Sequence, residues 1–288
     1  MTTMLRTAPV VTADLVETTV PAPESLRPWF TELGRIPTVR DLAESFAHIP
    51  QAATTIVLRS QEGGPREALV IGPQTKALYS HPSKPASCLR LRLAHGAARP
   101  LLGVPAALLT DRVIRLADLP GVAADLADEL IELRADEVFK FLEDTLPQRI
   151  SEDATRRAQR EVLRSAITAL SADPTGRSMS ALAGDLAVSE RHLRNLFTAG
   201  IGVSPKHFAR IDRVRRILAQ ARSTPSAQLP STGDYKPTTS LARLAADNGY
   251  FDQSHMTADF RTLMGVPPSS FLRGAVPTPS PCRPLDHI

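Results

Sequence analysis

Short runs of alternating apolar and polar residues occupy much of the first half of the chain and predict β-strands. Residues 54–58 and 68–71 are two such runs, and the Gly-Gly-Pro at residues 63–65 favours a turn between them. Residues 88–93 alternate strictly, which places leucines on one face of a strand and Arg90 and Arg92 on the other. Residues 26–150 are therefore predicted to form an α+β domain with a small β-sheet and helices.

The apolar spacing becomes helical after Pro120, and two antiparallel helices that end near Pro147 are predicted there. The outer face of this pair is acidic, so we interpret the pair as packing on the core, with a dimer surface as the alternative. From residue 151 to residue 273 the spacing predicts an all-α domain. Residues 1–25 and 274–288 contain several prolines without a period, and both are predicted to be disordered tails.

The helical region contains one sequence unit twice. Residues 178–185 match residues 240–247 at an offset of 62 positions, and the Gly-Val motif at Gly202 matches the one at Gly265 at an offset of 63. One residue is therefore inserted in the second copy, where residues 248–251 form its turn. A repeated sequence unit indicates a repeated structural unit.

Each copy predicts a helix-turn-helix, in which the second helix enters the major groove. Ser178 and Ser240 are favourable N-caps for the short first helices, and Gly249 can supply the left-handed residue of the second turn. The second helices are predicted to begin at Ser189 and near Asp252.

A long helix joins the two copies and is predicted to begin at Ser204 and Pro205. A helix of about 18 residues is about 27 Å long. This length brings the two units close to one DNA turn apart, which is about 34 Å.

The outward faces of the two second helices are predicted to carry DNA contacts. Their apolar stripes point to the core, which leaves arginine, amide and hydroxyl side chains outside. Arginine pairs with guanine, and asparagine or glutamine with adenine; a solvated polar face is the alternative for either helix alone. The predicted base-reading residues are Arg191, Arg194, Asn195, Gln253, Ser254 and Thr257. The predicted phosphate contacts are Ser189, Arg210, Arg215 and Arg261.

Charge divides unevenly between the two halves. Residues 1–150 contain 16 Lys and Arg against 18 Asp and Glu, and residues 151–288 contain 18 against 12. A net charge of −2 beside one of +6 indicates that only the second half meets a polyanion, here double-stranded DNA. Because the chain lacks an apolar run of about 18 residues and a signal-like N-terminus, a cytoplasmic protein without membrane contact is expected.

Few residues suggest catalysis or metal binding. Cys88 is interpreted as a small buried residue rather than a nucleophile, and the histidines form no ligand cluster. No cofactor, no metal and no enzymatic activity are therefore expected, with an enzyme that carries an appended DNA-binding domain as the alternative. Arg90 and Arg92 are candidates for holding an anionic effector, with a solvated face as the alternative. Trp29 and Tyr79 are candidates for lining a pocket, with core packing as the alternative.

Residues 189–197, 202–205, 248–260 and 265–268 resemble the signature of AraC/XylS-type transcription regulators. The resemblance extends over residues 155–273. It implies a seven-helix DNA-binding domain with two helix-turn-helix units, and base contacts at the six positions named above. It also implies that the N-terminal domain senses a small-molecule effector or forms a homodimer, and that the protein acts beside RNA polymerase.

Two regions depart from the familiar pattern of that family. Residues 223–239 form a long polar loop where a short connection is usual. The N-terminal region is similar, notably at residues 103–113, to the short sensor domains of actinobacterial members rather than to the arabinose-binding domain. Sugar specificity is therefore not implied.

Overall fold

The computed structural model describes residues 11–12, 17–39, 46–81, 84–173, 178–223 and 240–281. Strands dominate the first part of these residues and helices the second. The strands are Val11–Thr12 (β1), Thr18–Pro21 (β2), Phe30–Val39 (β3), Phe46–His48 (β4), Thr55–Gln61 (β5), Arg66–Ile71 (β6), Leu78–His81 (β7), Ala86–Leu93 (β8), Val113–Arg115 (β9) and Ser280–Pro281 (β10). The helices are Ala98–Leu102 (α1), Ala127–Glu132 (α2), Val138–Arg149 (α3), Ala154–Ala172 (α4), Met179–Asp185 (α5), Glu190–Ile201 (α6), Pro205–Ser223 (α7), Leu241–Asp247 (α8), Gln253–Met264 (α9) and Pro268–Leu272 (α10).

The main sheet has six antiparallel strands in the order β2-β3-β8-β5-β6-β9. The alternation predicted at residues 88–93 is confirmed, because Leu91 and Leu93 are buried while Arg90 and Arg92 lie on the opposite face. Leu91 pairs with Ile56 in the neighbouring strand, so the buried positions lie side by side. Helices α1 to α3 cover this apolar face and complete one hydrophobic core.

A second sheet of four short strands, in the order β1-β4-β7-β10, joins distant parts of the chain. Its last strand, β10, pairs in parallel with β7. The predicted tails are therefore wrong for residues 11–12, which form β1, for residues 17–25, which contain β2 and the start of a 3-10 turn, and for residues 274–281, which end in β10. Backbone hydrogen bonds to remote strands order these segments, and proline content does not reveal such partners. Residues 1–10, 13–16 and 282–288 of the two predicted tails lie outside the described residues.

In the helical region the two predicted copies have matching caps and turns. Ser178 and Ser240 cap α5 and α8, and each side chain accepts a backbone N–H three residues further on. Gly249 has φ +70° and Ala187, at the matching position of the first copy, has φ +53°. The left-handed conformation is easy for glycine and costly for alanine, yet the tight turn imposes it on both. The fold class, an α+β N-terminal region followed by a helical region, is confirmed.

The second hydrophobic core does not stop at the domain boundary predicted between residues 150 and 151. It is formed by α4 to α10, and Ala47, Ile49 and Ala52 from the N-terminal region are buried in it. The two parts of the chain therefore share apolar packing in addition to polar contacts. The polar loop predicted at residues 223–239 lies, beyond Ser223, outside the described residues.

Candidate nucleic-acid interface

Helix α6 presents the first set of predicted base-reading residues. Ser189 caps the helix, since its Oγ accepts the N–H of His192 at 3.1 Å. Leu193 and Phe197 are fully buried and fix the inward face. Three side chains predicted to read bases are exposed on α6: Arg191, Arg194 and Asn195.

Arg194 already has a local partner on its own helix. Its Nη2 lies 2.5 Å from Oε2 of Glu190, one turn earlier, and both side chains are exposed to solvent. An exposed pair at this spacing contributes only about 0.3–0.5 kcal/mol. The guanidinium therefore remains available to exchange Glu190 for a stronger acceptor such as guanine.

Helix α9 presents the second set in the same way. Its N-cap is Asp252, whose Oδ1 accepts the N–H of His255 at 2.7 Å. Met256 and Phe260 are fully buried, so the inward face is again apolar. The outward residues are Gln253 and Ser254, which are exposed, Thr257, which is half-buried, and Arg261, which is exposed in the last turn.

Arg210, predicted to contact phosphate, instead joins α7 to α9. Its Nε donates to Oδ1 of Asp259 at 2.8 Å, and Nη2 of Arg213 lies 3.4 Å from the other oxygen of that carboxylate. Asp259 is buried in the interior of α9. The assignment of Arg210 to phosphate is corrected, because its guanidinium already neutralises a buried charge and orients α9.

Arg215, also predicted to contact phosphate, faces the N-terminal region. Its Nη1 lies 3.4 Å from the carbonyl of Pro50, and it lines a cavity of about 240 Å³ together with Arg92 and Asp212. Burial raises the pKa of the Asp212 carboxyl, against the opposing effect of Arg216 and other arginines of the same helix. The phosphate assignment of Arg215 is therefore corrected too.

The two repeat units differ in how the second helix is held. Asp259 occupies the position that Leu196 occupies in the first copy, 63 residues earlier. Arg213 also lies over the ring of Tyr250 at 4.6 Å, and burial raises the pKa of Tyr250 to about 12. The sequence interpretation missed Asp259 and Tyr250. An acidic residue directly before the buried Phe260 is the signal that was overlooked.

The C-terminal end of α6 is bound by the N-terminal region. The N–H of Gly96 donates to the carbonyl of Gly200 at 3.0 Å, and the hydroxyl of Thr110 donates to the carbonyl of Gly202 at 2.9 Å. The last carbonyls of a helix lack partners within the helix. The N-terminal region therefore caps α6 at the end opposite to Arg191.

The C-terminal end of α9 is bound in the same manner. The N–H of Ala77 donates to the carbonyl of Leu263 at 2.7 Å, and the Tyr79 hydroxyl donates to the carbonyl of Met264 at 2.6 Å. Burial raises the pKa of Tyr79. Tyr79 thus lies between the two regions of the chain. The outward side chains on the N-terminal halves of α6 and α9 are exposed within the part of the chain that the structure describes.

Arg90 and Arg92, the candidates for an anionic effector, are already paired with carboxylates. Glu17 lies between them with 3% of its side chain exposed, at 2.9 Å from Arg90 and 3.6 Å from Arg92. Arg92 also contacts Glu32. Both expectations for this face, an effector site and a solvated surface, are therefore wrong, because acids from β3 and from the segment before β2 neutralise it.

A larger cavity of about 400 Å³ lies between the main sheet and α2. Its walls include Leu58, Leu89 and Leu130, and Arg35 and Arg66 stand among its polar residues. Cys88 is half-buried at its edge rather than fully buried. Trp29, proposed as a pocket residue, instead stacks with the Arg160 guanidinium at 4.5 Å.

The described residues, 11–281 with the gaps given above, contain neither a metal-ligand cluster nor a membrane-spanning helix. Those residues contain no group of three or more His, Cys, Asp or Glu arranged to hold a metal ion. They also contain no helix long and apolar enough to cross a bilayer.

No protein-family model and no curated protein matches the chain. Solved structures are similar to it, among them the following three. A transcriptional regulator with an AraC-type DNA-binding domain from Chromobacterium violaceum is 18% identical, with 42% of this chain and 99% of that chain covered and a TM-score of 0.34. The C-terminal domain of AraT, a response regulator from Geobacillus stearothermophilus, is 20% identical, with 44% and 93% covered and a TM-score of 0.32. ToxT from Vibrio cholerae is 11% identical, with 84% and 97% covered and a TM-score of 0.40.

Proposed function

We propose that this protein is a transcription regulator of the AraC type that reads two successive major grooves of duplex DNA with α6 and α9. One observation carries the proposal. Both helices expose base-reading side chains on their N-terminal halves, while the N-terminal region of the chain occupies their C-terminal ends. In helix-turn-helix proteins the N-terminal residues of the second helix contact the base edges.

The chemistry of the two exposed sets supports direct readout of bases. Arg191 and Arg194 suit guanine, whereas Asn195 and Gln253 suit adenine. Ser189 and Arg261 remain the candidates for phosphate. Helix α7, at 19 residues, is about 28 Å long, which suits two units separated by roughly one DNA turn.

Control by a small molecule is a further part of the proposal, and the cavity beneath α2 is its candidate site. Apolar walls beside Arg35 and Arg66 favour a ligand with an apolar body and one negative charge. Contacts with RNA polymerase and a homodimer, which the resemblance implies, stay predictions.

The DNA proposal is tested by selecting bound duplexes from a random pool with the full-length chain. The selected duplex should bind at least roughly a thousandfold more tightly than its scrambled version at physiological salt. Arg194→Ala and Gln253→Ala should each cost about 1–3 kcal/mol at one base position and relax the preference there. Arg164→Ala, at an exposed arginine of α4, is the control and should leave base preference unchanged. Equal weakening on every duplex contradicts base reading.

The effector proposal is tested separately by thermal unfolding. Aliphatic and aromatic monocarboxylates should raise the melting temperature and their neutral amides should not, because only a ligand that binds the folded chain stabilises it. Arg35→Ala should abolish the shift, and Arg99→Ala, at an exposed arginine outside the cavity, should keep it. Identical shifts in both variants contradict this site.

A further inference from the structure

Phe251 is the most exposed large apolar residue among those that the structure describes. Its relative exposure is 93%, against 58% for Val20, 56% for Leu108 and 51% for Leu78. A phenyl ring in water is unfavourable, and burying such a side chain gains roughly 1.5–3 kcal/mol. The fold nevertheless leaves this ring outside, one residue before the N-cap of α9.

Phe251 is also the residue that distinguishes the second repeat unit from the first. Ala187 and Gly249 match at the left-handed position of the turn. The next residues match as well, since the N–H of Val188 bonds to the carbonyl of Ala183 at 3.0 Å and the N–H of Tyr250 to that of Ala245 at 3.0 Å.

The N-caps of the second helices follow these residues in the chain. In the first copy the cap, Ser189, follows Val188 directly, whereas in the second copy Phe251 separates Tyr250 from the cap, Asp252. The inserted residue is therefore Phe251 itself.

The ring does not hold the helix in place. An apolar residue just before an N-cap often packs against the fourth residue of the helix. That residue is Met256 here, which is fully buried while Phe251 is not. Tyr250 takes the inward position instead, with its ring 5.2 Å from that of His255. The inserted residue thus places an aromatic ring at the N-terminal end of α9, and this ring has no packing role.

We propose that Phe251 contacts a thymine methyl group in the major groove, next to the bases reached by Gln253 and Ser254. This proposal rests on the DNA-reading function proposed above. Phe251 is within two residues of Gln253, at the end of α9 that faces the base edges. The C5-methyl of thymine is the apolar feature of that groove, and phenylalanine is among the side chains that contact it. Contact removes both apolar groups from water.

The test uses the duplex selected with the wild-type chain. Each thymine is replaced in turn by deoxyuridine, which differs only by the missing methyl group. Wild-type protein should lose about fourfold in affinity at one thymine, the factor given by burial of one methyl group. Phe251→Ser should bind the thymine duplex about fourfold or more weakly, and should not distinguish it from the deoxyuridine duplex.

Val20→Ser, at an exposed apolar residue of β2, is the matched control and should keep the full thymine preference. The melting temperature of Phe251→Ser should equal that of the wild type, because the ring is not packed.

Three results overturn the assignment. The first is a Phe251→Ser variant that retains the wild-type thymine preference. The second is a loss of affinity that is equal on every duplex, which indicates insertion between bases rather than methyl recognition. The third is unchanged DNA binding with reduced transcription by RNA polymerase, which indicates a protein contact. If the wild-type chain binds all duplexes equally, the proposed function is wrong, and the assignment of Phe251 is wrong with it.

Discussion

The ion pair between α7 and α9 fixes the orientation of the second helix-turn-helix unit, and Asp259→Asn removes it with little change in size. Asp259 accepts hydrogen bonds from Arg210 and Arg213, which both belong to α7. The substitution removes the charge of the carboxylate and one acceptor oxygen. The guanidinium groups of Arg210 and Arg213 then lie side by side in the interior, and the carboxylate that neutralised them is gone.

The expected loss of stability follows from the exposure of the three side chains. Asp259 is 10% exposed, Arg210 23% and Arg213 17%. Removing one partner from a fully buried pair costs roughly 3–5 kcal/mol, and an exposed pair contributes about 0.2–1 kcal/mol. Because both arginines keep some contact with water, we expect Asp259→Asn to lower the free energy of unfolding by about 2 kcal/mol.

Urea unfolding followed by far-ultraviolet circular dichroism measures this loss. Asp247→Asn is the control in the same unit, because Asp247 pairs with Arg243 at 3.8 Å on the exposed face of α8. The control should cost less than about 0.5 kcal/mol. A double-mutant cycle of Asp259→Ala with Arg210→Ala should give a coupling energy of at least about 0.5 kcal/mol. If Asp259→Asn and the control are equally stable, the pair does not hold α9.

Three other expectations follow from single contacts. Arg261→Ala should lower the slope of log affinity against log salt by about one, the change for one lost phosphate contact, and an unchanged slope removes Arg261 from the interface. Tyr79→Phe leaves the carbonyl of Met264 without its donor and should cost about 1–2 kcal/mol in urea unfolding, whereas wild-type stability contradicts the capping role. Burial lowers the pKa of His95, so the unfolded chain binds this proton more readily than the folded one. The associated stability is present above about pH 6.5 and is lost as the pH falls below it. His95→Gln should flatten the decline of stability from pH 7.5 to 5, and a decline as steep as that of the wild type contradicts this role of His95.

Local rules in the sequence determined the helix starts and the turns of the repeat. Ser178 and Ser240 accept the hydrogen bonds predicted for N-caps, because a cap needs only a short polar side chain and the next three residues. Ser189 and Asp252 cap the second helices where those helices were predicted to begin. The strand alternation at residues 88–93 was predictable for the same reason. Each of these features depends on neighbours within one turn or one strand.

Only the tertiary structure decided which arginines already bind a partner within the protein. Arg210 and Arg215 lie on one helix whose periodicity shows an exposed face, yet Asp259 and Pro50 from distant segments bind them.

The order of the terminal segments also depends on the tertiary structure. The strand at residues 280–281 is ordered by β7, about 200 positions earlier in the chain. Such partners come together only when the chain is folded, because their attraction depends on distance in space and leaves no period in the sequence.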